Sequence, residues 1–253
     1  MTEPLISVRN LVKWFPVRRG FLTPKLYVKA VDGVSFEIKS SEILGLAGES
    51  GCGKTTLGKL TIRLLDPTRG SVFLSGKEIT SYDSKRLKEF RRNAQIVFQD
   101  PYDSINPRQT VFQILQEPSQ IHGLTDSREE SVNLIYKALE DVQLTPPEEF
   151  TPRFPHELSG GQRQRVAIAR ALILHPKFIV ADEPVSMLDM SVRAEILNLF
   201  LDLIQKHHLA LLFITHDLAV SKYIADRLAI MYLGKIVEIA RPEEVVDTPL
   251  HPY

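Results

Sequence analysis

From residue 5 to residue 46 the chain reads as strands. Val34, Phe36 and Ile38 alternate with Ser35 and Glu37, the period of a half-buried strand, and Ile43-Leu44 runs into a glycine-rich turn. The period then changes. From Thr55 the apolar positions Leu57, Leu60 and Leu64 recur at helical spacing, Pro67 and Gly70 mark a stop, and a short strand follows at 72–74. Between Ser84 and Leu144 the pattern is mostly helical, clearest at Val132, Ile135, Leu139 and Val142, and reads as a helical insertion. From Phe178 buried strands alternate with helices: a strand at 178–181, a helix from about Ser191 to Lys206, and a strand at 209–215. That alternation predicts a mainly parallel sheet with crossover helices. The stretch 228–239 carries Leu233-Gly234-Lys235 in its middle and predicts a hairpin.

Composition narrows the classes of function. The 31 Lys and Arg cancel the 31 Asp and Glu among 253 residues, so the basic excess that binding nucleic acid or an anionic bilayer demands is absent. Hydrophobic residues at 43% and charged residues at 25% describe an ordinary globular chain. The apolar runs at 209–214 and 228–233 fall well short of the roughly 20 residues of a membrane-spanning helix. Met1-Thr2-Glu3-Pro4 lacks the basic and apolar regions of a signal peptide. The single cysteine, Cys52, leaves no intrachain disulfide and no cysteine-rich metal site. A soluble chain in a reducing, cytoplasmic setting is expected.

Three stretches carry chemistry. Gly48-Glu49-Ser50-Gly51-Cys52-Gly53-Lys54-Thr55-Thr56 is a phosphate-binding loop between a strand and a helix. Its glycines let backbone amides curl around an anion, the helix adds its positive end, Lys54 reaches the terminal phosphates, and the Thr55 hydroxyl can ligate Mg²⁺. Cys52 reads as a tolerated small residue, although a helix N-terminus can lower a thiol pKa, and alkylating it is expected to block ATP binding. In the second stretch, Phe178-Ile179-Val180-Ala181-Asp182-Glu183-Pro184, an apolar strand ends in two acids. Side chains alternate along a strand, so the acids serve different roles: Asp182 to hold Mg²⁺, Glu183 to polarise the water that attacks the γ-phosphate. In the third, Leu158-Ser159-Gly160-Gly161-Gln162-Arg163-Gln164-Arg165, Ser159 and Gln162 have capping-box spacing and open a helix with Val166, Ala169 and Ile173 on its apolar face. The cap does not account for Gly160-Gly161, whose missing side chains leave helix N-terminal amides open to an anion.

This third stretch resembles the signature motif of ATP-binding-cassette (ABC) ATPases, and the resemblance extends over nearly the whole chain. It implies an α/β fold: a P-loop NTPase (RecA-like) core with an N-terminal antiparallel β subdomain, together about 1–98 and 166–253, and an inserted α-helical subdomain at about 99–165. Gln99 resembles the family's Q-loop glutamine, a Mg²⁺ and water contact. Ser186-Met187-Leu188-Asp189 resembles its D-loop, with Met187 where a small residue is common, and His216 in Ile214-Thr215-His216-Asp217 resembles its switch histidine, a γ-phosphate contact. The resemblance implies a dimer that sandwiches ATP. Lys54, Glu183 and His216 would act in cis, while Ser159, Gly160, Gly161, Gln162 and Asp189 complete the partner's site. Phe15, in Leu11-Val12-Lys13-Trp14-Phe15, is in register for the adenine, with Trp14 on the opposite strand face and Tyr27 as competitor.

Two strings narrow the branch. Val97-Phe98-Gln99-Asp100-Pro101-Tyr102-Asp103-Ser104-Ile105-Asn106-Pro107-Arg108 and Thr248-Pro249-Leu250-His251-Pro252-Tyr253 resemble the ATPase subunits of oligopeptide, dipeptide and nickel importers. That branch implies a second ATPase, identical or different, two integral membrane permease subunits and an extracytoplasmic solute-binding protein, with this chain peripheral on the cytoplasmic face of the membrane and no nucleic-acid partner. Other classes lack their marks. Residues 57–157 hold no long coiled coil of the chromosome-linked relatives, a single cassette is present, and no asparagine precedes a lysine as guanine recognition requires.

Overall fold

The alternation near the N-terminus produces two long strands, β1 (Ile6–Val17) and β2 (Leu26–Ile38), paired antiparallel with Ile6 opposite Ile38 and Val17 opposite Leu26. The computed structural model describes residues 3–17, 26–100 and 105–253. Chain contacts divide it into two compact units, Met1–Phe90 with Ala210–Tyr253, and Arg91–Leu209.

In the first unit, β3 (Ile43–Ala47) is buried along its whole length and leads into α1 (Lys54–Thr61). The strands β4 (Arg69–Leu74) and β5 (Lys77–Glu78) then join the first two in a four-stranded antiparallel sheet of order β2-β1-β4-β5. Helix α1 ends sooner than its leucine spacing predicts. Arg63 turns left-handed at φ 52, and its guanidinium is drawn to Ile79 O, Thr80 O and the Asp66 carboxylate, so Leu64 falls beyond the helix and is exposed.

The remainder of this unit is the parallel sheet that the strand-helix alternation predicts. β8 (Ala210–Thr215) and β9 (Arg227–Tyr232) flank β3, each parallel to it, and β10 (Lys235–Ala240) pairs antiparallel with β9. The expected hairpin is therefore present. Leu233 at φ 44 and Gly234 at φ 81 supply the two left-handed residues that a tight turn between twisted strands requires. Helices α8 (Leu218–Ile224) and α9 (Pro242–Asp247) are too short to announce themselves by periodicity. Ala47, Leu228, Ile230 and Val245, the last on α9, form a core cluster that fixes the C-terminal end of β3 where the phosphate loop begins.

Helix α2 (Ser84–Asn93) leads into the second unit. There β6 (Ala94–Val97) runs parallel to β7 (Phe178–Asp182), Ala94 opposite Phe178 and Val97 opposite Ala181. β6 lay unrecognised inside the helical stretch of the sequence because four residues between a helix and a polar turn show no measurable period. The helices are α3 (Val111–His122), α4 (Arg128–Asp141), α5 (Pro147–Phe150), α6 (Gly160–Leu172) and α7 (Met190–His207). α4 and α7 stand where the sequence places helices. Among the described residues, no helix is long and apolar enough to cross a membrane.

Candidate nucleotide-binding and signature sites

Residues 48–56 form the turn from β3 into α1, with Gly53 as the helix N-cap at φ 112. Two glycines are demanded by close backbone approach. A Cβ on Gly48 would lie 2.2 Å from Met231 O, and one on Gly53 would lie 2.0 Å from Ala30 O. The hairpin turn closes on the loop from the same side, Gly234 N–H donating to Cys52 O at 3.0 Å. Lys54 is buried, and its ammonium donates to Gly48 O at 2.7 Å and Glu49 O at 2.8 Å. The loop thus has two faces: Cys52 and Lys54 are inside, while Glu49, Ser50, Gly51 and Thr55 are exposed and Thr56 is half-buried.

Burial pushes the Cys52 thiol above its ordinary value, and the nearby Lys54 charge only partly opposes this. The structure favours the reading of a tolerated small residue.

In the same unit His216 is exposed immediately after β8. Its approach is fixed by its neighbours. Thr215 Oγ1 accepts the Asp217 N–H at 3.0 Å, and the Asp217 carboxylate caps α8 at Ala219 N and Val220 N. His216 lines a cavity of about 570 Å³ together with Gly48, Glu49 and Ser50, so the structure brings His216 and the start of the 48–56 loop together. Phe15 is 37% exposed and is not a core residue, with the Lys13 ammonium 5.2 Å from its ring centre. Trp14 lies half-buried with its indole N–H on Asp32, and Tyr27 tilts against it at 6.2 Å. Phe15 and Tyr27 are both exposed.

In the second unit β7 delivers the two acids. Asp182 is buried and Glu183 half-buried. Glu183 adopts φ 49, a left-handed conformation that costs a non-glycine residue on the order of 1–3 kcal/mol and gathers at functional positions. The turn that follows is pinned from two sides. Ser186 donates from N and Oγ to Glu183 O, and Arg193 donates from Nε to Leu188 O at 2.7 Å and from Nη2 to Ser186 O at 3.2 Å. Met187 and Met190 are strongly exposed beside it. Asp189 stands at the N-cap of α7, yet its carboxylate makes no capping bond and is exposed.

The capping box predicted for α6 is present: Ser159 Oγ accepts the Gln162 N–H at 3.2 Å and Gln162 Oε1 accepts the Ser159 N–H at 3.1 Å. The two glycines differ. A Cβ on Gly160 would make an ordinary 3.5 Å contact with Leu188, but one on Gly161 would lie 2.6 Å from Val192 Cγ1. Gly161 therefore has a packing reason of its own, beside the anion-binding role expected from the sequence. Gln99 is exposed just beyond β6. Residues Pro101, Tyr102, Asp103 and Ser104 of the importer-like string lie outside the described residues. No group of three or more His, Cys, Asp or Glu among the described residues could hold a metal by itself.

Reading the sequence missed the residues that hold these motifs in place. Arg193 and Val192 carry no motif, and Tyr253 stands in the importer-like terminal string with nothing to pair it with the loop 204 residues away, yet its hydroxyl accepts the Glu49 N–H at 2.8 Å.

The family model described as ABC transporter matches residues 31–186. The chain belongs to the ABC transporter ATP-binding family. This ABC ATPase is 47% identical to the oligopeptide transport ATP-binding protein AppF of Bacillus subtilis, over 99% of this chain and 76% of AppF. It is 48% identical to OppF, an oligopeptide transport ATP-binding protein of the same organism, over 100% of this chain and 81% of OppF. A putative peptide import ATP-binding protein of Brucella ovis is 48% identical over 100% of this chain and 77% of its own length. Among solved structures, the ATP-binding cassette MJ0796, a dimer in a post-hydrolysis state bound to ADP and Pi, superposes with a TM-score of 0.81 at 28% identity, over 94% of this chain and 98% of that one. cbiO1 of Clostridium perfringens, part of the ABC transporter complex cbiONQ, superposes with a TM-score of 0.83 at 26% identity, over 98% and 92%. The ABC ATPase accordingly has the RecA-like P-loop core, the N-terminal antiparallel β subdomain and the inserted α-helical signature subdomain that its motifs implied.

Proposed function

We propose that this ABC ATPase powers the import of di- and oligopeptides by closing and opening as an ATP-driven dimer. The observation that carries the reading is near-50% identity to oligopeptide transport ATP-binding proteins over 99–100% of the chain. The family's coupling of hydrolysis to transport supports a second ATPase subunit, two membrane permease subunits and an extracytoplasmic binding protein as partners, with this chain peripheral on the cytoplasmic face. The inserted helical subdomain is assigned to about 99–165, and the RecA-like and β parts to about 1–98 and 166–253.

Each residue then has a task. Gly48, Glu49, Ser50, Gly51, Cys52, Gly53, Lys54, Thr55 and Thr56 wrap the triphosphate, the loop amides other than that of Glu49 and the start of α1 facing its charge. Lys54 exchanges the Gly48 and Glu49 carbonyls for phosphate oxygens, a short move for an ammonium on a flexible stem. Phe15, exposed and in register on β1, stacks on the adenine. Glu183 orients and polarises the attacking water from a left-handed backbone position at the end of β7. His216 contacts the γ-phosphate. Thr55, Gln99 and Asp182 would hold Mg²⁺, which neutralises charge on the phosphates and needs few protein ligands because phosphates and water supply the rest. Ser159, Gly160, Gly161, Gln162 and Asp189 serve the partner's nucleotide: the exposed cap and the Asp189 carboxylate, which makes no bond to its own helix, are available to a second chain.

The test is reconstitution with the native permease subunits and binding protein in proteoliposomes. Peptides should accelerate ATP hydrolysis and enter with it. Stimulation by nickel or another small solute, with none by peptides, would overturn the peptide assignment.

A further inference from the structure

The segment 249–253 lies against the phosphate loop, with contacts to the β9–β10 hairpin and to the loop itself. The Glu238 carboxylate, on β10, accepts the N–H groups of Leu250 at 3.1 Å and His251 at 3.1 Å, two charge-assisted bonds that anchor the start of the segment. His251 Nδ1 accepts the Tyr253 N–H at 3.1 Å, which turns the chain so that the Tyr253 ring meets Tyr232, at the end of β9, with centroids 4.6 Å apart. That stacking aims the phenol at the loop, where its hydroxyl oxygen accepts the Glu49 N–H at 2.8 Å. Burial raises the phenol pKa above its ordinary value, so it stays neutral at physiological pH.

The same hairpin holds the other end of the loop through Gly234 N–H and Cys52 O. Between these two supports lies the Glu49 peptide, whose carbonyl is held by Lys54 at 2.8 Å. When Lys54 turns to a phosphate, its bond to that carbonyl is lost. The amide of the same residue remains held by Tyr253, which keeps the first turn of the loop from opening. The free energy of ordering this turn is then spent before the nucleotide arrives, and preorganisation of that kind appears as affinity.

We propose that Tyr253 is a positioning residue for nucleotide binding: its hydroxyl, aimed by Tyr232 and anchored through Glu238, holds the phosphate loop in the conformation that receives the triphosphate. The inference rests on the assignment of residues 48–56 as the phosphate site. The segment's contact is with the loop backbone, so its loss affects binding and leaves the chemical step intact.

The experiment measures MgATP affinity, KM and kcat for the full chain and five variants, with Tm in the absence of nucleotide. Tyr253→Phe keeps the ring and removes the acceptor; a single neutral hydrogen bond corresponds to a loss of about fivefold in ATP affinity and a matching rise in KM. Its kcat at saturating MgATP and its Tm should equal those of the parent. Glu238→Gln, which weakens the anchor, should act in the same direction, and the double variant should be no worse than the stronger single one because the two act on one contact. Leu250→Ala, on the same segment but 90% exposed, should change nothing. Parental affinity in Tyr253→Phe, an effect confined to kcat or Tm, or additive losses in the double variant would overturn the proposal. Lys54→Ala separates the two levels: ATP affinity unchanged in that variant would refute the phosphate site itself.

Discussion

Replacing Gly161 by alanine isolates the packing role of the signature helix from its role toward a nucleotide. The added Cβ would lie 2.6 Å from Val192 Cγ1 and 3.9 Å from Val192 Cβ, so the contact is with one branch of a stiff side chain in the first turn of α7. Valine in a helix occupies one χ1 well about nine times in ten, and overpacking of this kind costs roughly 1–3 kcal/mol. The gain in helix propensity from glycine to alanine returns up to about 1 kcal/mol. The clash wins by about 1 kcal/mol, which for a chain of this length lowers Tm by roughly 2–4 °C. Thermal unfolding by circular dichroism would read this directly. Adding Val192→Ala removes the branch that clashes, and the double variant should be more stable than the sum of the two single changes. A Gly161→Ala variant that melts above the parent, or a Val192→Ala background that leaves the penalty intact, would refute the packing argument. ATP turnover of the double variant then tests the other role: if Gly161 also keeps amides open to a partner's phosphate, hydrolysis remains impaired after stability has been restored.

Two further outcomes follow from the site and its surroundings. Glu183→Gln should retain ATP binding and lose roughly 10²- to 10⁴-fold in hydrolysis, the usual contribution of a general base; near-parental turnover would remove Glu183 from that role. Burial first, and then the charges of His207 and Lys137, hold the His175 imidazole below its ordinary 6.5. The folded protein binds that proton less readily than the unfolded chain, so the associated stability is full above about pH 6.5 and is lost as pH falls through the folded pKa. His175→Asn, at a left-handed φ of 50 that asparagine tolerates, should therefore lose less Tm between about pH 7.5 and pH 5.5 than the parent, and equal losses would contradict the assignment.

The sequence made the motifs legible because each depends on neighbours within a few residues. The loop from Gly48 to Thr56, the acids Asp182 and Glu183, and the Ser159–Gln162 cap are local devices, and all three stand at the element boundaries that their chemistry requires. Long-range supports left no trace. The 2.8 Å bond from Glu49 to Tyr253, the hold of Arg193 on the 186–188 turn and the Val192 wall behind Gly161 join residues whose spacing follows no period. Glu183's left-handed backbone was equally hidden, since the tertiary setting and not its side chain imposes it. Where local signals misled, a tertiary contact explains why. Helix α1 stops short because Arg63 is drawn aside.

The central claim is that each nucleotide is completed by a second chain, and mixing two inactive variants tests it most directly. In a dimer of Lys54→Ala with Ser159→Asp, one site would carry both defects and the other would be intact, because its phosphate loop and its signature helix come from the unaltered halves of the two chains. Aspartate caps a helix as well as serine does, so the second variant should fold like the parent. Random assortment of the two chains makes half the dimers mixed, each with one good site of two, and predicts a turnover of about a quarter of the parental value if sites act independently. Turnover equal to the mean of the two separate variants would contradict the shared site.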